Sequence, residues 1–256
     1  MLGPGFYNMD CMEGMKEFPD GYFHLAIVDP PYGIQADTFK NGAGASKYKG
    51  AEWGTETRVK RNRTGEDSTA NRIRKQRAEG RLNHGCGTLK GRMLNQADCS
   101  WDCEIPPEEY FRELRRVSQN QIIWGGNYFP LPPTRCVIVW DKVQPWENFS
   151  QVEIAWTSFD KPASLFRMNN CYSGKIHPTQ KPVQLYCWLL DKYAKEGDRI
   201  LDTHVGSASS LVACQRMGFE YTGFEIDEFY YREAAARLEK EKNQINVFEL
   251  LQEMAD

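Results

Sequence analysis

Short apolar runs alternate with longer helix-like stretches along most of this chain, and that alternation restricts the fold more than any other feature. Residues 23–28 (FHLAIV), 120–124 (NQIIW), 136–140 (CVIVW), 152–157 (VEIAWT), 199–202 (RILD) and 220–225 (EYTGFE) read as strands. Residues 106–117, 182–194, 207–217 and 227–243 read as helices, the first opening on prolines and acids. Strands joined through helices need crossover connections, so the pattern predicts an α/β fold with a doubly wound, mostly parallel sheet. The two runs after 135 have no helix between them and are expected to pair as an antiparallel hairpin.

The 256 residues, 41% of them hydrophobic, suffice for one large core, and a single domain over 1–256 carrying one insertion is expected. The net charge of −3 conceals a division. Residues 36–100 hold 14 basic and 7 acidic side chains, which leaves the remainder at −10. A basic, Gly-rich insertion on an acidic body fits a polyanion such as nucleic acid; a solvated loop would have the same composition. Its densest cluster is Arg58, Lys60, Arg61, Arg63, Arg72, Arg74, Lys75 and Arg77. Eight scattered cysteines suit reduced thiols. No apolar run is long enough to span a bilayer, and the start MLGPGFYNMD lacks a basic region followed by an apolar stretch, so a cytoplasmic protein without membrane contact is expected.

Three stretches carry chemistry. In VDPPYG (28–33) an apolar strand ends on a carboxylate, two prolines and an aromatic ring. The prolines forbid further pairing, which predicts Asp29 and Tyr32 at a sheet's edge with room between them for something planar and hydrogen-bonding. In RILDTHVGSASSLVACQRMG (199–218) Asp202 closes a strand, Gly206 permits a tight turn, and Ser207 to Ser210 open a helix whose amides favour a carboxylate. About 20 residues on, Glu225 closes the next strand, placed to accept from ribose hydroxyls, with Asp227 just beyond it. Together these describe a nucleoside pocket, although one glycine after a strand is common in α/β proteins and no GxGxxG pattern marks a dinucleotide. In KIHPTQKPVQL (175–185) Pro182 suits a first helical turn and Thr179 can cap it; alone, this is no more than a helix start.

In combination and in this order, Asp29-Pro30-Pro31-Tyr32, His177-Pro178-Thr179-Gln180-Lys181-Pro182 and Leu201-Asp202-Thr203-His204-Val205-Gly206-Ser207 resemble the S-adenosylmethionine-dependent DNA amino-methyltransferases. The catalytic tetrapeptide precedes the cofactor loop, as in the permuted beta class, and the type resembled is the N6-adenine, phage-like or orphan one. The opening YNMDCMEGM and the strands QNQIIWGGNYF, CVIVWDK and VEIAWTSF are similar too, so the resemblance covers nearly everything outside 36–100.

That resemblance implies a Rossmann-like methyltransferase sheet and S-adenosyl-L-methionine as cofactor. Asp10 would accept from the cofactor's adenine amino group and Cys11 would contact that ring through its backbone. Glu225 would hold the ribose, with Asp227 beside it. Asp202, Gly206 and Ser207 would surround the methionine moiety, with His177, Thr179 and Lys181 lining that end and His204 covering the cofactor. Asp29 and the Pro30 carbonyl would accept the two N–H bonds of a flipped base's amine, and Pro31 and Tyr32 would complete the site, Tyr32 by stacking. Asp before Pro-Pro-Tyr favours adenine N6 over cytosine N4.

Thr203-His204 stand where the family commonly has Pro-Phe, and Ala208 where a second glycine is usual. Double-stranded DNA is the expected partner, phosphate contacts coming from the insertion. A homodimer and a separate restriction endonuclease are the further partners the class implies. Alternatives are an N4-cytosine DNA methyltransferase, a methyltransferase acting on RNA, protein or a small molecule, and a noncatalytic nucleic-acid-binding module. No metal is expected: His84, Cys86, Cys99 and Cys103 could ligate zinc, but their spacing is loose.

Overall fold

The computed structural model describes residues 2–34, 104–143, 150–170, 176–177 and 179–253, with the backbone course alone for 245–253. The expected insertion, its basic cluster and the His84, Cys86, Cys99 and Cys103 set lie outside those residues, as does Pro178.

Among the described residues the strands are β1 (Gly5–Asn8), β2 (Phe23–Val28), β3 (Ser118–Trp124), β4 (Ile138–Asp141), β5 (Val152–Thr157), β6 (Ser164–Arg167), β7 (Arg199–Asp202) and β8 (Glu220–Glu225). The helices are α1 (Cys11–Lys16), α2 (Glu108–Val117), α3 (Val183–Tyr193), α4 (Ser209–Met217) and α5 (Glu228–Glu253). All the strands join one sheet in the order β1-β8-β7-β2-β3-β5-β4-β6. The pairs β1–β8, β8–β7, β7–β2, β2–β3 and β4–β6 are parallel, whereas β3–β5 and β5–β4 are antiparallel. The expected hairpin is therefore present, with Ile138 opposite Ala155 and Asp141 opposite Val152.

Side-chain alternation sorts the sheet's two faces. Leu25, Ile27, Ile122, Trp124 and Ile200 point into one core with α3, α4 and part of α5. Ala26, Val28, Ile123, Leu201 and Phe224 point into the other, where Phe23 at the start of β2 also packs, covered by Met15 of α1 and by Tyr110, Phe111, Leu114 and Val117 of α2. Helices on both faces explain why the central strands are apolar at nearly every position rather than at every second one. In α2, Glu108 and Glu109 occupy the first turn and Arg115 and Arg116 the last, each matching the helix dipole.

β2 lies between β7 and β3, so Asp29 and Tyr32 sit at the carboxyl end of an interior strand and not at a lateral edge of the sheet. The prolines follow Val28, the last paired residue, and cost the ladder nothing. From β2 the chain moves to β3 on one side, and from β7 to β8 on the other. The loops after β2 and β7 therefore flank a point where strand order reverses, the position at which such sheets bind ligands.

β1, α1 and β6 were not among the elements read from the sequence. α3 begins after Pro182, and no side chain caps it; the Thr179 hydroxyl turns to His177 instead. α4 begins at Ser209 rather than 207, and α5 continues to Glu253.

The fit between α1 and β8 is tight enough to test. A Cβ on Gly14 would overlap the Phe224 ring, which is fully buried. Gly14→Ala should lose about 1–3 kcal/mol by overpacking, read as a lower urea midpoint at unchanged slope. Gly3→Ala, with open space around its Cβ, should shift it by no more than about 0.5 kcal/mol.

Candidate active site

Two cavities open at the carboxyl ends of β2 and β7 and share a wall. The larger, about 550 Å³, is lined by residues that include Pro31, His177, Thr179, His204, Gly206, Ser207, Glu225 and Asp227. The smaller, about 270 Å³, is lined on one side by Pro30, Pro31 and Tyr32 and on the other by Tyr128, Lys142 and Glu153. Asp29, Pro31, Thr179 and Lys181 border both.

The floor of the larger cavity is built around carboxylates held by backbone amides. Glu225 accepts from Gly206 N at 2.8 Å and from Asp227 N at 2.9 Å. Burial raises the Glu225 pKa against the pull of those amides. Asp227 caps α5, accepting from Phe229 N at 2.8 Å and Tyr230 N at 3.1 Å. From that helix Arg237 reaches back to the Ser207 carbonyl at 2.6 Å and Ser209 Oγ at 3.1 Å, which pins the loop after β7.

Burial favours the neutral form of both histidines that line the larger cavity. Burial, with the nearby Lys181 ammonium, pushes His177 down to about 3; its Nδ1 and the Thr179 hydroxyl share a hydrogen bond at 3.1 Å and its ring meets Tyr230 edge-on. Burial likewise pushes His204 down to about 4, and a chain of hydrogen bonds runs from its Nδ1 to Thr203 Oγ1 and on to the Tyr110 hydroxyl, at 2.9 and 2.6 Å.

Three expected cofactor residues do not line the larger cavity. Asp202 is buried behind it, accepting from Ser210 Oγ and from His204 N, so it shapes the loop from beneath. Asp10 caps α1 by accepting from Met12 N at 2.6 Å. Cys11 follows it, its thiol pushed up to about 12 by burial and then by Asp10. Both flank the Glu225 end, where Met9 N donates to the Glu225 carbonyl.

The space expected between Asp29 and Tyr32 is closed by direct contact: the Tyr32 hydroxyl donates to Asp29 Oδ1 at 2.6 Å. The Tyr32 ring stacks on Tyr128, centroids 5.0 Å apart and planes 16° apart, and rests on Gly125, where any Cβ would overlap it. Asp29 Oδ2 accepts from the Lys181 ammonium. Lys181 also lies 3.0 Å from Glu153, which in turn pairs with Lys142 at 2.5 Å. Burial disfavours each of these charges, and their mutual attraction opposes it. Lys181 is held protonated, Glu153 is held below the usual carboxylate range by the two ammoniums, and Asp29 is left raised. Lys181 is thus the partner of Asp29 between the cavities, not simply a lining residue of the cofactor end.

Glu153, Lys142 and Tyr128 were not singled out in the sequence. The signal was a charge inside each of two apolar runs, VEIAWT and the one ending in VWDK. Among the described residues no group of three or more His, Cys, Asp or Glu could hold a metal, and no helix is long and apolar enough to cross a membrane.

Residues 133–236, less than half of the chain, match the family model described as DNA methylase. Type II methyltransferase M2.DpnII of Streptococcus pneumoniae is 35% identical over 102 residues, 40% of this chain and 36% of that protein. Type II methyltransferase M2.LlaDCHI of Lactococcus lactis subsp. cremoris is 31% identical over 101 residues, 40% of this chain and 35% of that protein. The matched segments thus span about a third of each relative's length. In three dimensions the chain is similar to PvuII DNA methyltransferase (cytosine-N4-specific), with a TM-score of 0.50 at 12% identity over 96% of this chain and 92% of that one. The fold is therefore a Rossmann-like methyltransferase sheet.

Two features of the β7 loop are testable. Burial pushes Asp202 up to about 7, above an unfolded value of ~3.9, so the stability its protonated form lends is complete below pH ~4 and lost as pH rises through the folded value. Asp202→Asn stays neutral throughout, and its stability relative to wild type should climb between pH 4 and 8 in denaturant titrations; a constant gap would remove Asp202 from that titration. Ala208, just before α4, has φ +60°, a left-handed conformation that costs a residue with a Cβ about 1–2 kcal/mol. Ala208→Gly should be neutral or gain up to about 1 kcal/mol, whereas Ala213→Gly inside α4 should lose about that much or more, both read from denaturation midpoints.

Proposed function

We propose that this protein transfers the methyl group of S-adenosyl-L-methionine to the N6 amino group of a flipped adenine in double-stranded DNA. The observation that carries this reading is the position of Asp29-Pro30-Pro31-Tyr32 at the wall between a cavity floored by Glu225 and a smaller one lined by aromatic rings. The match of residues 133–236 to a DNA methylase family and the naming of both relatives as type II methyltransferases support it.

The larger cavity fits the cofactor. The anchored Glu225 carboxylate suits two adjacent hydroxyls, the neutral His177 and His204 add no cationic charge beside a sulfonium, and Gly206 keeps the loop close to whatever lies against it. Asp10 and Cys11 would complete the adenine end, and Thr179, Ser207 and Asp227 the sides. Bound there, S-adenosyl-L-methionine supplies an electrophilic methyl group. The chain's own residues prepare the amine. An aromatic amine is a poor nucleophile because its lone pair is delocalised into the ring. Asp29 and the Pro30 carbonyl accept its two N–H bonds and so turn that pair out of conjugation, by orientation and fixed charge. Tyr32 would stack on the base in the place that Tyr128 takes in this structure, repaying part of the few kcal/mol needed to extrude it. Asp29 then takes up the proton released from the methylated amine.

The basic insertion would hold flanking phosphates, giving a salt-dependent affinity. The beta-class order, a cytoplasmic setting, a homodimer and a separate restriction endonuclease complete the proposed context.

The test is transfer of labelled methyl to unmethylated duplex DNA, followed by mass spectrometry of the nucleosides. N6-methyladenine is the expected product. N4-methylcytosine would keep the chemistry and change the base, and no label in DNA would overturn the reading. Asp29→Ala should lower turnover by about 10²–10⁴ while leaving cofactor binding near wild type.

A further inference from the structure

Each oxygen of the Asp29 carboxylate already accepts a hydrogen bond from the protein. Oδ1 accepts from the Tyr32 hydroxyl and Oδ2 from the Lys181 ammonium, so a substrate N–H must share an oxygen with one of these donors and is held more weakly the more tightly that donor is bound. Tyr32 belongs to the same turn, and its ring is held by Tyr128 and Gly125. Lys181 has an alternative partner. Glu153 Oε2 is buried and pairs with the same ammonium at 3.0 Å, while the other oxygen is engaged by Lys142 at 2.5 Å. Among the described residues Asp29 and Glu153 are the carboxylates within ion-pair distance of Lys181. An ammonium has three donors, so redistributing them between two carboxylates needs only a small movement of Nζ.

We propose that Glu153 is a positioning residue that keeps the Lys181 ammonium divided between two carboxylates as the base enters, so that Asp29 Oδ2 remains a strong acceptor for the substrate N–H. Glu153 borders the smaller cavity, on the side of the wall where the base would arrive. Its charge keeps Lys181 protonated and divided between two acceptors. Without that charge the ammonium pairs with Asp29 alone, and the substrate competes against an undivided, buried ion pair. The inference deepens the base-methylation reading and rests on it.

The pH dependence separates this role from a merely structural one. The ionisable groups facing Asp29 are Tyr32 on its own loop, Lys181 ahead of α3, Glu153 on β5 with Lys142 behind it, Asp202 at the end of β7 and Tyr110 on α2. Glu153 acts on Asp29 in the direction of a higher pKa. Glu153→Gln, which keeps the shape and removes the charge, should therefore lower kcat about 10–100-fold and move the acid limb of its pH profile to lower pH. KM for DNA and cofactor affinity should stay near wild type, and Glu153→Asp should recover part of the loss. Lys142→Met, which leaves Glu153 to Lys181 alone, should move the limb the other way; this arm stands even if Glu153→Gln fails to fold. A Glu153→Gln enzyme as active as wild type, or one that loses activity with the acid limb unmoved, overturns the proposal. A wild-type protein that transfers no methyl to DNA instead overturns the underlying reading, and this inference with it.

Discussion

From Leu25 to Val28, strand β2 is buried on both faces and the strand has a hydrogen-bonded neighbour on both edges, so the first place beyond that stretch where its chain can hold a charge is the residue after Val28. Asp29 occupies that place. The same constraint acts on β7, where Asp202 ends the strand, and on β8, which ends on Glu225. Because the three strands are parallel, their carboxylates arrive at one end of the sheet. Strand order reverses between β7 and β2, which keeps their following loops apart and leaves a crevice rather than a packed seam. The two cavities are a consequence of that topology, and the side chains at the strand ends decide what each can hold.

Three carboxylates in one crevice would repel one another if each were left alone. Each is treated differently. Glu225 is held by backbone amides, which bring no mobile counter-charge. Asp202 is buried with a hydroxyl and an amide, and its ionisation is deferred to near neutrality. Asp29 has a cation, Lys181, and that cation is itself shared with Glu153. Fixed dipoles thus serve the cavity that would receive a cofactor, and a movable charge serves the wall where chemistry would occur. The neutral histidines fit the same division, since a protonated ring at either position would add a second cation close to Lys181 or to the cofactor cavity.

Much of this was legible in the sequence because it depends on local pattern. FHLAIVD and RILD announce buried strands ending on acids, and the proline pair of DPPY announces the turn. The doubly wound sheet follows from alternation, and the β4–β5 hairpin from the absence of a helix between its strands. What was not legible depends on register and on long-range pairing. β1 pairs with β8, and this brings Asp10 beside Glu225 across most of the chain's length. Asp202 read as a cavity residue, but Ser210 and the His204 amide draw its carboxylate beneath the loop. Tyr32 read as one side of an open gap, but its hydroxyl closes on Asp29.

Glu153 and Lys142 illustrate the limit most clearly. Periodicity identified both of their strands, yet a period of two cannot say which face of a strand meets which neighbour. The antiparallel pairing of β5 with β3 and β4 sets Glu153 opposite Trp140, two positions before Lys142, at the end of the sheet where Asp29 emerges from β2. A one-residue slip of β5 would turn Glu153 to the opposite face and leave Lys181 with Asp29 alone. The charge balance of the wall between the two cavities is therefore a property of strand register in the half of the sheet that does not carry the loop after β7. That half would act on the chemistry through a single lysine side chain, without contributing a residue to the Asp-Pro-Pro-Tyr turn itself.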